Sequence, residues 1–238
     1  NKGWCFIMKR FILLITAILL FSTLNVLAKD SELLNSREVA KQDNQISEIG
    51  FKILNANAIP YRTVFTYDTA RTINAYSQFS NRKIVMYRGM YNRCDTEDEL
   101  AAILAHEISH SVDSYQGPLR GSLFFVNYMV APRKYESKAD KRAIDYMVNA
   151  GYHPVAMIVA MSKNFPQGRY EVFSSHPLAT RRMMEVYEYI YKKYPEYLVN
   201  NKYRKNIYYQ NFLLTSKENR EKFQEKVKTN SNKKIRYK

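Results

Sequence analysis

The sequence predicts an α+β domain that is mainly helical and carries a small antiparallel sheet. Two patterns predict it. Apolar residues recur at helical spacing in separate stretches of the chain, and three runs between residues 64 and 87 are short, rich in β-branched and aromatic side chains, and divided by turn residues. The 238 residues are 46% hydrophobic and 25% charged, enough for one sizeable core.

From Asp30 to Ile59, the positions Leu33, Leu34, Val39, Ile46, Ile49, Ile53 and Leu54 follow a helical spacing, and Asn55-Ala56-Asn57 ahead of Pro60 ends it. Val64 to Tyr67, Thr72 to Tyr76 and Lys83 to Tyr87 read as strands, with Ser80-Asn81 as turn material. Thr96 opens a strong helix that runs through His110. Its hydroxyl can cap the first turn, Glu99 stands where a capping box needs it, and the local acids suit the positive helix end. After the Gly117-Pro118 break, Leu119 to Ala131 is apolar but too short to span a bilayer, so it reads either as a buried segment or as a lid beside a cleft. A helix from Arg133 to Asn149 stops at Ala150-Gly151-Tyr152-His153-Pro154. Another follows from Val155 to Lys163, and a last clear one from Leu178 to Tyr191 ends before Pro195. No internal repeat is visible.

The ends of the chain differ from its middle. Met8-Lys9-Arg10, an apolar run from Phe11 to Phe21 and a polar, small-residue exit at Ala28 have the layout of a signal peptide cleaved after Ala28, with residues 1–7 upstream of the true start. A retained anchor is the alternative, but the apolar run is shorter than the roughly 20 residues a spanning helix needs. The expected organisation is a leader over 1–28, one domain over 29–195 and a basic Tyr/Lys-rich tail, partly helical, over 196–238. Cleavage leaves Cys94 as the single cysteine, so no internal disulfide can form. It also leaves 34 Lys and Arg against 22 Asp and Glu, and the tail alone holds 12 bases and 4 acids. For an exported chain, that excess points to anionic lipid or envelope polymers, or to a solvated face, and not to nucleic acid. The expected location is the periplasm or cell envelope, with membrane association through the tail.

The chemistry concentrates at His106-Glu107-Ile108-Ser109-His110. Residues four apart on a helix share a face, so both imidazoles can address one tetrahedral ion while the Glu107 carboxylate reaches a water beside it. The preceding run Leu100 to Ala105 reads as buried, which places the pair inside. A catalytic zinc needs a third protein ligand and an open position. Glu136 is the best candidate, because it heads Glu136-Ser137-Lys138-Ala139-Asp140, whose two carboxylates lie four apart on one helical face. Asp140 would then accept a hydrogen bond from the far nitrogen of a ligating imidazole. The bland alternative is that both acids sit on the surface, paired with Lys138, Lys141 or Arg142.

Together, Asn74-Ala75, Asp98 to His110, Glu136 to Asp140, Ala150 to Pro154 and Ser175-His176-Pro177 resemble peptidase family forty-eight of the metallopeptidases, which includes the HtpX-like and CAAX prenyl proteases. The resemblance runs from about Ile46 to Tyr191, with the motifs in the family's order. It implies a zincin-like (gluzincin) fold and a metalloendopeptidase of the cell envelope binding one Zn2+ through His106, His110 and Glu136. Glu107 would be the general base, with Asp140 and Arg182 behind the ligands. His176 matches a family histidine near the metal, assigned to transition-state stabilisation or to occluding the zinc; the alternative is a capped turn before Pro177. Only 25 residues separate His110 from Glu136, which argues against the inserted spanning segments of intramembrane proteases. The sheet, through the strand around Asn74 to Tyr76, is expected to border the active-site cleft and to hold extended, unfolded polypeptide substrates by backbone hydrogen bonds. A zinc-bearing envelope module without activity is the alternative function, and Glu107 argues against it.

Overall fold

A computed structural model describes residues 35–60, 62–78, 82–116, 132–165 and 179–237. The chain divides into two compact units, Asn1–Asn44 and Gln45–Lys238. In the first, residues 35–44 are helical, and the leader segment lies outside the described residues, as does Leu119 to Ala131. Among the described residues no helix is long and apolar enough to cross a membrane.

The second unit opens with helical residues 45–56 (α1), which bury Ile46, Ile49, Ile53 and Leu54. At the end of this helix Asn57 Nδ2 donates to the carbonyls of Ile53 (2.9 Å) and Tyr146 (3.1 Å), tying it to a later helix. Three strands follow, β1 (Val64–Asp68), β2 (Ala75–Gln78) and β3 (Lys83–Tyr87).

The sheet is mixed where the sequence suggested an all-antiparallel one. Its order is β1-β3-β2, with β2 antiparallel to β3 and β1 parallel to β3 in the register Val64 to Lys83 through Asp68 to Tyr87. The reason lies in the connection. Residues 69–74 carry the chain across the end of β3, so the third strand inserts between the first two. The crossing is tight, with Gly89 N donating to Ala70 O at 3.3 Å. A Cβ on Gly89 would stand 2.2 Å from the carbonyl oxygen of Arg71 and 2.5 Å from that of Thr72. As the central strand, β3 buries Ile84, Val85 and Met86 in succession instead of alternating, as expected of a strand covered on both faces.

A short helix, α2 (Arg88–Tyr91), leads to the long α3 (Glu97–Gln116). The start of α3 is specified locally. Thr96 Oγ1 accepts from Glu99 N and donates to Glu99 Oε1, both at 3.3 Å, and Asp95 N donates to Glu99 Oε2 at 3.4 Å. Leu100, Ala101, Ala102, Leu104, Ala105 and Ile108 are buried, so α3 runs through the interior. It packs against α4 (Pro132–Asn149) and α5 (Ala156–Asn164). Small buried residues, Ala101 and Ala105 on α3 and Ala139 and Ala143 on α4, bring the α3 and α4 backbones close. The latter helix stops at Gly151, whose φ of 78° suits glycine, with Tyr152 N reaching back to Met147 O at 2.8 Å.

Next come α6 (Ala179–Lys193) and α7 (Glu196–Val199), then α8 (Ile207–Thr215) and α9 (Lys217–Lys228). The C-terminal stretch contributes buried Tyr203, Tyr209, Phe212 and Phe223. Helix α8 packs on α5, and Tyr203 donates to Asp98 Oδ2 (2.7 Å) in the first turn of α3. Lys163 at the end of α5 meets both Glu99 and Asp95 at 2.6 Å.

Gly89→Ala should lower stability by about 1–3 kcal/mol, because the added methyl meets backbone and not a flexible side-chain end. Thermal and urea midpoints measure this, and an unchanged midpoint would show that residues 69–74 yield freely.

Candidate metal centre

Helices α3 and α4 place the site. Their facing surfaces carry His106, His110, Glu136 and Asp140, all at least nine-tenths buried. His106 Nε2 and His110 Nε2 are 3.1 Å apart. The Glu136 carboxylate closes the group, with Oε2 at 3.5 Å from His106 Nε2 and Oε1 at 3.2 Å from His110 Nε2. One ligand atom from each of the three residues lies within 4.8 Å of the others.

Asp140 Oδ1 stands 2.9 Å from Nδ1 of His106. That contact fixes the ring and turns the opposite nitrogen, Nε2, toward the other two donors. Two imidazole nitrogens and a carboxylate converging on one buried point are a donor set that zinc takes in catalytic sites, so the residues present fit the ion.

Arg182, on α6, completes the constellation. Its Nη1 lies 2.8 Å from Glu136 Oε2, while Nη2 and Nε address the two oxygens of Asp140 at 2.7 and 2.8 Å. The guanidinium thus spans both acids, a planar fork matched to planar carboxylates.

These contacts set the protonation of the metal-free protein. Burial alone would lower the basicity of His106, but hydrogen bonds to Asp140 and Glu136 and the charges of both acids outweigh it and raise its pKa to about 10. Burial likewise opposes ionisation of Asp140, and the charge and hydrogen bonds of Arg182, with those of His106, overcome it and bring its pKa down to about 2. In the metal-free protein these contacts favour the protonated form of His106 and the ionised form of Asp140.

Glu107 lies on the open side. With His106 it lines a small pocket whose other walls come from β2 and its lead-in (Asn74, Ala75), from α3 (Ile103) and from α5 (Met157, Ala160, Met161). Arg182 also reaches this pocket. The structure thus brings together His106, Glu107, His110, Glu136, Asp140 and Arg182, and His176 lies outside the described residues. Sequence reasoning did not find the α5 wall. The unbroken burial of Ala156 to Met161 resembles any core helix, and only its position beside His106 marks it as a pocket wall.

A buried His-Glu-x-x-His helix crossed by a second helix bearing a glutamate, beside a small sheet, defines an α+β domain of the zincin-like class. Residues 40–116 and 118–190 match Peptidase family M48, and the chain belongs to that family. It is 24% identical over 183 residues to a Beta-barrel assembly-enhancing protease of Escherichia coli (strain K12), covering 59% of this chain and 37% of the relative. A protein of the same name from Yersinia pestis is 26% identical over 184 residues, with the same coverage. A CAAX prenyl protease 1 homolog of Arabidopsis thaliana is 30% identical over 73 residues, 29% of this chain and 17% of the relative. The chain spans little more than a third of the length of the two bacterial relatives.

A zinc ion bound at this site would displace the proton held on His106. Loading the metal-free protein at pH 7 should therefore release about one proton, and apparent affinity should rise with pH up to about 10. Calorimetry in buffers of different ionisation enthalpy measures this, and a buffer-independent heat would mean that His106 is already neutral.

Asp140→Asn should keep the fold and weaken zinc binding by about 10–100-fold, since the group orienting His106 loses its charge. Equal affinity in chelator competition would detach Asp140 from the metal centre.

Proposed function

We propose that this chain is a zinc-dependent metalloendopeptidase that hydrolyses peptide bonds in exported or cell-envelope proteins, taking them as extended or unfolded segments. One observation carries the reading: Glu107 and the ligand His106 open onto a single pocket whose rim is the start of the edge strand β2.

His106, His110 and Glu136 would hold one Zn2+, which supplies Lewis acidity to a water and to the scissile carbonyl. Glu107 then takes the proton from the attacking water and returns it to the leaving amine. Asp140 keeps Nε2 of His106 turned inward. Arg182 holds the carboxylates of Glu136 and Asp140 in place through its fork. Among the described residues β2 pairs on one side only, with β3, and its other edge would receive the substrate backbone, a mode that needs no particular side chain and favours unfolded chains. The apolar wall of Met157, Ala160 and Met161 would exclude water and accept an apolar substrate side chain.

Two further observations support the envelope setting. The N-terminal sequence has the layout of an export signal, and the bacterial relatives are named for enhancing β-barrel assembly. From the family resemblance, His176 is assigned to support of the developing oxyanion.

The test is metal content joined to hydrolysis of an unfolded protein such as casein. Glu107→Gln keeps all three proposed ligands and removes the proton acceptor, so turnover should fall by about 10²–10⁴-fold while zinc content and melting temperature stay near wild type. Retention of more than about a tenth of wild-type turnover would overturn the mechanism. Loss of zinc in the variant would make Glu107 a ligand and reopen the assignment of Glu136.

A further inference from the structure

Helix α4 has two faces. One, at Glu136, Ala139, Asp140, Ala143, Ile144 and Met147, is buried and serves the metal centre. The other carries Lys134, Lys138, Lys141 and Arg142, four cations at helical spacing, and faces an open cleft. The cleft's second wall is α6, through Arg181, Glu185 and Tyr189. Lys234, from the C-terminal segment, closes it.

The segment that carries Lys234 is anchored close by. Three residues on, Tyr237 is buried and its hydroxyl donates to Glu188 on α6, while Lys226 meets the same carboxylate at 3.3 Å. A second cavity shares Lys141 and Lys234 with the first and continues toward Ile235 and Tyr237. Tyr237 thus anchors the C-terminal segment beside α6, and Lys234, itself exposed, lines both cavities.

The acids around the groove are occupied. Asp113 accepts from both Lys138 and Arg142 at 2.8 Å. Glu185 is held by Arg181 and by the Ser137 hydroxyl. Asp145 accepts from Tyr189, from Tyr194 and from Lys193. Lys134, Lys141 and Lys234 are left with no carboxylate partner among the described residues. Holding three like charges around one concavity costs energy unless an anion settles between them. An anion with several linked phosphates can pair with more than one ammonium group along a concavity, which single dispersed carboxylates cannot do.

We propose that the groove between α4, α6 and the C-terminal segment is a binding site for a ligand bearing clustered phosphates, with Lys134, Lys141 and Lys234 as its cationic contacts. Such phosphates could belong to a free polyphosphate or to a lipid head group. The inference does not rest on peptidase activity. It also assigns the anion-binding role to three particular lysines of α4 and the C-terminus, whereas the sequence suggested only the diffuse charge of the tail.

The test uses the full chain with two probes, inorganic tripolyphosphate by calorimetry and cardiolipin vesicles, whose head group carries two phosphates, by co-sedimentation against phosphatidylcholine vesicles. The triple variant Lys134→Gln, Lys141→Gln and Lys234→Gln is compared with Lys205→Gln, Lys217→Gln and Lys228→Gln, which removes the same charge from exposed positions elsewhere in the C-terminal region. Circular dichroism and zinc content verify that both remain folded.

Wild type should bind at least one probe, and the groove variant should lose roughly 10–100-fold in affinity while the control variant loses far less. Binding of tripolyphosphate would indicate that the phosphate cluster itself suffices, and binding of cardiolipin vesicles alone that it must be presented on a lipid. Either outcome supports the site. The proposal is overturned if neither probe binds, or if the two triple variants weaken binding equally, since the charge then acts diffusely.

Discussion

Burying two carboxylates and two imidazoles between α3 and α4 would be costly without a cation among them, and Arg182 is the residue that supplies one. Its guanidinium reaches Glu136 through one nitrogen and Asp140 through the other two, all within 2.8 Å. Desolvated carboxylates ordinarily shed their charge by taking up a proton. Here the fork keeps Asp140 ionised, and ionised Asp140 in turn holds the His106 ring by its Nδ1. The orientation of the metal-facing nitrogen thus depends, through Asp140, on a residue more than seventy positions away.

The position of that ring also depends on where α3 begins. A helix is a stiff ruler, so fixing its first turn fixes the height of side chains ten residues on. Thr96 and Glu99 cap the turn locally, and Lys163 adds a buried ion pair to Glu99 from the end of α5. The C-terminal region joins the same turn, with Tyr203 bonded to Asp98 and Lys202 paired to it. Residues outside the family match thereby hold the start of the helix that carries the two histidines.

Helix α4 couples two environments. One face is apolar and small enough to let α3 approach, interrupted only by the acids of the metal centre. The other is cationic and concave in its setting. Arg182 lines both the pocket at Glu107 and the basic groove, so a single side chain forms the partition between them. The groove has α4 and α6 as walls, the same helices that position Glu136 and Arg182.

The sequence by itself determined what depends on neighbours a few residues away. His106 and His110 share a face because they are four apart, as do Glu136 and Asp140. The Thr96 to Glu99 box starts α3, and Gly151 stops α4 where a positive φ is needed. Only the tertiary structure decided what depends on residues far apart in the chain. The parallel pairing of β1 with β3 requires residues 70–72 to pass over Gly89, which no strand propensity records. The fork of Arg182 across two acids, the α5 wall beside Glu107, and the cleft that Lys234 lines with Lys134 and Lys141 belong to the same group. Helical period and capping are short-range effects written in adjacent residues, whereas these contacts arise from which surfaces pack together to exclude water, a property of the whole chain.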